Sequence, residues 1–347
     1  MLFRKKQILY IQFKYKSIYY MIIDPQKNEI IEHDSLSLDI PVLIEGQLTN
    51  EMLVQKTLEL FVREKKLRNT VVHFILPDHF SVIRKEQVPL QLEQKEIKEY
   101  LYLQLDSKIK LPFDSPVLDF QLLETLEDAQ EILLVAYPEE YIQSFQKLFE
   151  SVQLVPEIAD LSYLSVYRLF KKDQSNEISP DEHLLLIQWH PYDSSLTVFH
   201  KDVPQFNRQT NFQRIAQSWE QDSLSKWEWT GSEEELEVAI ENHIDTIERF
   251  LDFYKYSIMN GEKMVTRIIL TGDFPEYELL YERISNRIDI RLSKIEVPSN
   301  FTRGFVPLIG LKYKDTIVTP KSKSINNHRK GLFNRPFKKT VEEIDAG

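Results

Sequence analysis

The sequence predicts an α/β protein folded as two lobes. Its 347 residues exceed the roughly 250–300 residues at which a single hydrophobic core stops growing. Strand patterns alternate with helix patterns along the chain. Each half also opens with a β-hairpin pattern, at residues 8–23 and 183–200. This coarse internal duplication predicts two lobes of similar architecture.

Composition and charge exclude several classes of function. A formal net charge of −11 gives an acidic surface, which argues against nucleic-acid binding because phosphate backbones are repelled. The chain has no cysteine, so disulfides, thiolate nucleophiles and cysteine metal sites are excluded. No stretch approaches the roughly 18 apolar residues of a membrane span. We therefore expect a soluble protein without a membrane-spanning segment.

The first half contains most of the predicted strands. A helix is predicted to begin with Pro138 at its first position, where the missing proline N–H costs nothing. An apolar stripe then runs through Tyr141, Phe145 and Phe149. The other predicted elements are strands 8–13, 17–23, 71–76, 82–88, 117–123 and 131–137, and helices 51–66, 92–105 and 159–170.

The second half is dominated by one long predicted helix, 233–259. Ser232 and Glu235 form a capping box at its start, and Gly261 suits its C-terminal cap. A strand at 266–272 and a helix at 276–286 are predicted to follow.

Two polar segments predict boundaries. The segment 171–182 separates the two halves. The last segment, 319–347, carries seven Lys/Arg and three Asp/Glu, a net charge of +4 on an acidic body. It lacks apolar periodicity, so we predict that it is disordered when unbound. Its basic residues suit an anionic lipid or an acidic partner, or they only keep the segment solvated.

No pattern in the sequence predicts a catalytic residue or a metal site. The nucleophile elbow, the P-loop and the glycine-rich dinucleotide loop are all missing. The histidine spacings do not place two imidazoles on one helical face. Three tryptophans, Trp219, Trp227 and Trp229, fall within eleven residues. They suit either a binding face or the core of a small sheet.

A series of short motifs then appears in a characteristic order. A strand ends at Pro77, a second ends at Val88–Pro89, and an LPF loop covers Leu111, Pro112 and Phe113. The series continues with LLVAYP (133–138), VQLVPEIAD (152–160), RIILTGD (267–273) and FVPLIGLKY (305–313). This order resembles the PilM family, the actin-like component of type IV pilus and related secretion or competence machines, over roughly residues 7–314.

The resemblance implies a two-lobed actin-like (ASKHA) fold. The first lobe would cover residues 1–180, with a small α/β subdomain inserted at about 77–138, as in FtsA. The second lobe would cover residues 181–318, followed by the basic segment 319–347.

Several positions depart from the family's nucleotide motifs. The resemblance puts Gln12 where an Asp normally governs the hydrated metal, Lys14 where a Gly contacts phosphate, and Tyr19 where a lysine is usual. The second lobe has Gln188 and His190 at the corresponding positions. The glycine cluster that cradles adenosine is reduced to Gly272 and its neighbours. Glutamine has no charge to hold a hydrated magnesium, and side chains at glycine positions keep the backbone from phosphate. We therefore expect no cofactor.

The resemblance implies a non-catalytic scaffold as the function. Such a protein would be cytoplasmic and held at the inner membrane by the N-terminal cytoplasmic peptide of a single-pass PilN-like protein, with motor or platform proteins as possible further partners. Leu111, Pro112 and Phe113 would line the edge of the peptide groove, or else form an internal plug. The alternatives are an actin-like ATPase that binds ATP and Mg²⁺ through non-standard residues, and an unrelated globular adaptor.

Overall fold

A computed structural model describes residues 7–173, 177–212, 218–221 and 227–314. The predicted basic segment 319–347 lies outside the described residues, as does part of the predicted boundary at 171–182.

The strands in chain order are β1 (Ile8–Phe13), β2 (Ser17–Asp24), β3 (Glu29–Ser37), β4 (Leu43–Ile44), β5 (Gln47–Leu48), β6 (Val71–Leu76), β7 (Val82–Pro89), β8 (Pro116–Thr125), β9 (Ala129–Pro138), β10 (Val155–Leu161), β11 (His183–Trp189), β12 (Asp193–His200), β13 (Val203–Asn211), β14 (Trp219–Gln221), β15 (Trp227–Trp229), β16 (Arg267–Thr271) and β17 (Arg291–Lys294). The helices are α1 (Glu51–Glu64), α2 (Gln94–Leu103), α3 (Glu139–Ser151), α4 (Ser162–Lys172), α5 (Glu233–Phe253), α6 (Tyr277–Arg287) and α7 (Val306–Leu311).

Each half of the chain builds one five-stranded sheet, and the two sheets have the same topology. The first has the order β10-β6-β1-β2-β3 and the second the order β13-β12-β11-β16-β17. In each, the hairpin strands pair antiparallel, and the first hairpin strand pairs parallel with a later strand, β6 or β16. The duplication predicted from the two hairpin patterns is confirmed.

Helices cover both faces of the first sheet. One face packs against α1 and α3, and the other packs against the short helix α7. This two-sided burial explains why β1 and β2 are almost continuously apolar in sequence. Helix α7 follows the second sheet in the chain but packs on the first sheet.

The second sheet packs α5 and α6 on one face. Its other face turns toward the first lobe, where the Phe199 ring stacks on Tyr167 of α4 at a centroid distance of 3.9 Å. The capping box of α5 is confirmed: the Ser232 hydroxyl accepts from the Glu235 N–H, and the Glu235 carboxylate accepts from the Ser232 N–H.

A smaller sheet, β7-β9-β8, carries α2 on one face. It lies between β6 and α3 in the chain. Its second face joins the core of the first lobe through residues such as Leu133 and Val135. Phe80 stacks on Tyr141 at 3.9 Å at this junction.

Two sequence predictions were wrong in detail. Residues 159–161 belong to strand β10 and not to the predicted helix 159–170, because β10 pairs with β6 through Leu161. Pro138 is the last residue of β9 and precedes the first helical residue, Glu139. Pro138 is therefore the N-cap residue of α3, one position before the predicted one.

The tryptophan cluster contributes to the core of the second lobe. Trp219 is buried in that core, and its ring lies edge-on to Trp229 with centroids 5.0 Å apart. The side chains of Trp227 and Trp229 are only partly buried and pack on the rim of the same core. Packing thus accounts for Trp219, which leaves at most two of the three rings for a binding face.

Gly310→Ala tests the close approach of α7 to α4. A Cβ at Gly310 would overlap the Ser165 carbonyl, and neither backbone can move without disturbing the first core. We expect the substitution to lower the free energy of unfolding by roughly 3 kcal/mol, measured by denaturant titration. Gly261→Ala is the control, since its Cβ would point into open space. Only the strain of its left-handed φ of 82° would then matter, at about 1 kcal/mol. Equal losses in the two variants would contradict the packing.

Candidate functional site

The candidate site is the cleft between the lobes. Strands β1, β6, β11 and β16 all end there, and ligands of α/β proteins characteristically bind at the carboxyl ends of parallel strands. The two hairpin turns, after β1 and after β11, face each other across the cleft. The loop after β16 reaches between them.

An ion cluster of Lys14, His190 and Asp273 occupies this position. The Lys14 ammonium lies 2.6 Å from one Asp273 carboxylate oxygen, and the His190 Nδ1 contacts the other. The exposed fractions of the Lys14 and Asp273 side chains are only 4% and 9%. Asp273 thereby connects the turn of the first hairpin to the turn of the second.

Electrostatics keep Asp273 ionised in this cluster. Burial alone would raise its pKa, but the charges of Lys14 and His190, with their hydrogen bonds, outweigh burial and hold the pKa well below the usual range of an aspartate. Lys14 also lies 4.7 Å from the centroid of the Tyr19 ring. The ion cluster is therefore a charged contact removed from water.

A second buried cluster, formed by Asp78, Ser162 and Gln188, lies deeper in the cleft. The Asp78 carboxylate accepts the backbone N–H of Ser162 at 2.8 Å and also accepts its hydroxyl. The Gln188 amide donates to the Ser162 hydroxyl at 2.7 Å. Because Ser162 is the first residue of α4, Asp78 acts as the cap of that helix from another element.

Burial raises the pKa of Asp78 to about 6, although the Ser162 hydrogen bonds act in the opposite direction. The carboxyl group is completely buried and has no cationic partner as close as the one that Lys14 gives Asp273. Asp78 is one of the candidate-site residues that the sequence patterns missed. Its only signal is its position directly after Pro77, at the end of a buried strand.

The predicted nucleotide-motif positions converge on this cleft. Gln12 is buried, and its side-chain oxygen has no hydrogen-bond partner among the described residues. Tyr19 is also buried, with its ring edge-on to Phe305. Gly272 has a φ of 117°, and a Cβ there would overlap the backbone of Trp189. Gly272 is thus required for close packing of the second-lobe turn.

The space left in the cleft is small. A cavity of about 50 Å³ is lined by residues that include Gln12, Asp78, Ser162, Gln188 and Asp193. Small-molecule pockets are typically about 300–1,000 Å³. The residues around the cavity do not fit a triphosphate, since the lysine that faces the cleft is already neutralised and two further carboxylates, Asp78 and Asp193, line the wall. No group of three or more metal-ligating side chains occurs in the part of the chain that the structure describes.

The three residues predicted to line a peptide groove lie in the loop between α2 and β8. Leu111 and Phe113 are partly buried against the core of the small sheet, and Pro112 is exposed. Their apolar surface is therefore divided between the interior and the outside.

The duplicated sheets and the cleft between them define the class as the actin-like fold. A solved structure described as a PilM-PilN type IV pilus biogenesis complex is 17% identical, covers 89% of this chain and 98% of that chain, and has a TM-score of 0.68. A Bacteroides thetaiotaomicron protein with an actin-like ATPase fold is 11% identical, covers 89% and 96%, and has a TM-score of 0.45. MreB 5 of Spiroplasma citri bound to AMPPNP is 9% identical, covers 90% and 97%, and has a TM-score of 0.46.

Within this class, the sequence pattern of the family described as "Type IV pilus assembly protein PilM" matches residues 26–303. The chain belongs to the PilM family. No curated protein sequence matches it. Among the described residues, no helix is both long and apolar enough to cross a membrane.

Lys14→Met tests the ion cluster. The methionine keeps the apolar stem but leaves the buried Asp273 with His190 alone, so we expect the free energy of unfolding to fall by roughly 3 kcal/mol. Lys27→Met is the matched control. Lys27 is exposed, and its ammonium lies 3.9 Å from the Glu29 carboxylate. Such surface pairs contribute at most about 1 kcal/mol to stability. Denaturant titrations of both variants decide the point. A Lys14→Met loss no larger than the control's would contradict a buried ion pair.

Asp78→Asn tests the buried carboxyl through pH. An Asp whose folded pKa lies above its unfolded pKa destabilises the fold as pH rises between the two values, here from 3.8 to about 6. Asparagine can keep the hydrogen bonds to Ser162 without titrating. The free energy of unfolding of Asp78→Asn, relative to that of the native chain, should therefore rise by roughly 1 kcal/mol between pH 5 and pH 7.5. Asp114→Asn, at an exposed position, is the control. A difference independent of pH would show that Asp78 titrates normally.

Proposed function

We propose that this PilM-family chain is a non-catalytic cytoplasmic scaffold of a type IV pilus-like machine. It would bind the cytoplasmic N-terminal peptide of a PilN-like membrane protein and so be held at the inner face of the membrane. The observation that carries the non-catalytic part is the Lys14–Asp273 ion pair in the cleft. Family membership carries the pilus-assembly part.

The ion cluster opposes nucleotide binding in two ways. A phosphate group would have to separate Lys14 from Asp273, which leaves the buried carboxylate with His190 alone, at a cost of roughly 3 kcal/mol. The phosphates would also approach Asp273 and Asp78 in a low-dielectric region, where like charges repel strongly. Neither Gln12 nor Gln188 supplies the negative charge that a hydrated Mg²⁺ requires. ATP and Mg²⁺ are therefore not part of the proposed function.

The same cluster also links the two lobes to each other. Asp273 belongs to the second lobe and Lys14 to the first, so their contact closes the cleft with the protein's own side chains. Stacking of Tyr15 on Tyr192, with centroids 5.4 Å apart, adds a second contact between the two hairpin turns. A cleft closed in this way holds the lobes in one relative position without a ligand, as docking requires.

The partner is proposed from a structural neighbour. That neighbour is described as a complex of PilM with PilN, and we propose that a PilN-like protein is also the partner here. The loop Leu111–Phe113, which lies beside the small sheet and is only partly buried, suits an extended apolar peptide. A disordered peptide that orders on binding can cover a large surface, and it pays its ordering entropy only when it binds. Motor or platform proteins of the same machine are the further contacts that we propose.

Millimolar Mg-ATP should leave the melting temperature unchanged. A nucleotide present at one hundred times its Kd would stabilise the fold by about 2.7 kcal/mol, which differential scanning fluorimetry detects readily. A nucleotide-binding actin-like protein serves as the positive control. A clear rise that is lost in Lys14→Ala or Asp273→Ala would instead support the actin-like ATPase.

The peptide half of the proposal needs its own measurement. Fluorescence anisotropy with the labelled N-terminal cytoplasmic peptide of the PilN-like protein from the same organism should show saturable binding. A scrambled peptide of the same composition is the control. Binding no stronger than that of the scrambled peptide would contradict the proposed PilN-like partner.

A further inference from the structure

Four large apolar side chains are exposed at the C-terminal end of α5. They lie within twelve residues of one another, in the last turn of α5 and the connection to β16, and we call them the α5 patch: Phe253, Tyr256, Ile258 and Met264. Their exposed fractions are 43%, 60%, 36% and 49%. Single apolar side chains are normal on a protein surface, whereas a group of them marks an interaction site.

A π-helical turn, Tyr254–Ile258, extends α5 and carries half of the patch. Within this turn Tyr254 is buried, and its hydroxyl oxygen lies 2.7 Å from the Nδ1 of His183. The Phe253 ring just before it packs on Phe206, with centroids 5.3 Å apart. Single π-helical turns are rare and occur frequently at functional sites. The α5 patch is therefore anchored to the second lobe and is not a frayed helix end.

The helix that leads to the patch is strongly acidic. Residues 233–253 contain eight Asp/Glu and one Arg, a net charge of −7. Arg283 and Arg287 of α6 pair with carboxylates of this helix, which still leaves a net charge of −5. An occupant of the α5 patch should therefore be apolar and basic at once.

The segment 329–339 of the same chain has this composition. Its sequence, RKGLFNRPFKK, contains five Lys/Arg, no Asp/Glu, and the apolar residues Leu332, Phe333 and Phe337. Four patch residues are too few for a stable dimer, in which each partner contributes roughly 20–30 residues. They match the three apolar side chains of one short segment.

The described part of the chain ends at the same end of the molecule as α5. Its last residue, Lys314, follows Tyr313, whose ring centroid lies 3.5 Å from the ammonium of Lys172 at the end of α4. The preceding residue of α4 pairs with the turn between β12 and β13. Next to that turn, the His200 ring stacks on His183, which contacts the π-helical turn. Eighteen further residues lead to Leu332, and they span up to about 60 Å when extended.

We propose that the segment 329–339 docks on the α5 patch of its own chain. Its leucine and phenylalanines cover the exposed apolar side chains, and its lysines and arginines lie along the acidic surface of α5. Because the segment is tethered, it binds at an effective concentration in the millimolar range, so that a small apolar contact is sufficient. This docking is independent of the partner proposed above.

Photo-cross-linking of the full chain tests the contact directly. With p-benzoylphenylalanine in place of Phe333, the monomer should form cross-links to residues 253–264, mapped by mass spectrometry. The same amino acid in place of Ile325, outside the docking segment, is the control and should give few cross-links there. Cross-links confined to other surfaces would overturn the proposal. So would products of twice the monomer mass, because a second copy would then provide the patch.

The rate of tryptic cleavage within 329–339 gives a second measurement. Tyr256→Ser removes the most exposed ring of the α5 patch and should speed this cleavage roughly threefold, because proteolysis follows the population of the undocked state. Met52→Ser is the matched control: Met52 is 72% exposed on α1 of the first lobe, so the rate should stay unchanged. Equal rates in the native chain and both variants would overturn the proposal. Protection of the segment by phosphatidylglycerol vesicles alone would also overturn it, because an anionic membrane would then be the occupant's true site.

Discussion

The contact between Lys14 and Asp273 is the interaction on which the arrangement of the lobes depends. It joins the turn of the first hairpin to the loop after β16, across the cleft that two equivalent sheets create. A buried ion pair is weak evidence for stability as such, because desolvation offsets much of its attraction. Its consequence here is geometric: the side chains that face the cleft satisfy each other, and little space or positive charge is left for a polyphosphate.

Much of the fold could be predicted because its signals are local. The hairpins, the capping box of α5 at Ser232 and the continuous apolar strands each depend on neighbouring residues. The start of α4 could not be predicted in this way. Its cap is Asp78, a residue 84 positions earlier in the chain, so no pattern around Ser162 marks the boundary. Strand β10 was likewise missed because only its pairing with β6 makes it a strand.

The candidate site was predictable by position but not by chemistry. The resemblance to PilM identified Gln12, Lys14, Gln188 and His190 as degenerate positions, and all of them lie at the cleft. The sequence could not indicate that Lys14 and His190 share Asp273, because the residues come from three separate turns. The burial of Asp78 could not be predicted from the sequence either, because it arises only when the two lobes and α4 meet.

The central claim is that the protein's own ion cluster takes the place of a nucleotide. A crystal structure of the chain grown with millimolar Mg-AMPPNP tests this claim most directly. Our account predicts that the Lys14–Asp273 contact is preserved and that the cleft contains only water. Ordered nucleotide and metal between the lobes, with Lys14 turned from Asp273 to the phosphates, would contradict it.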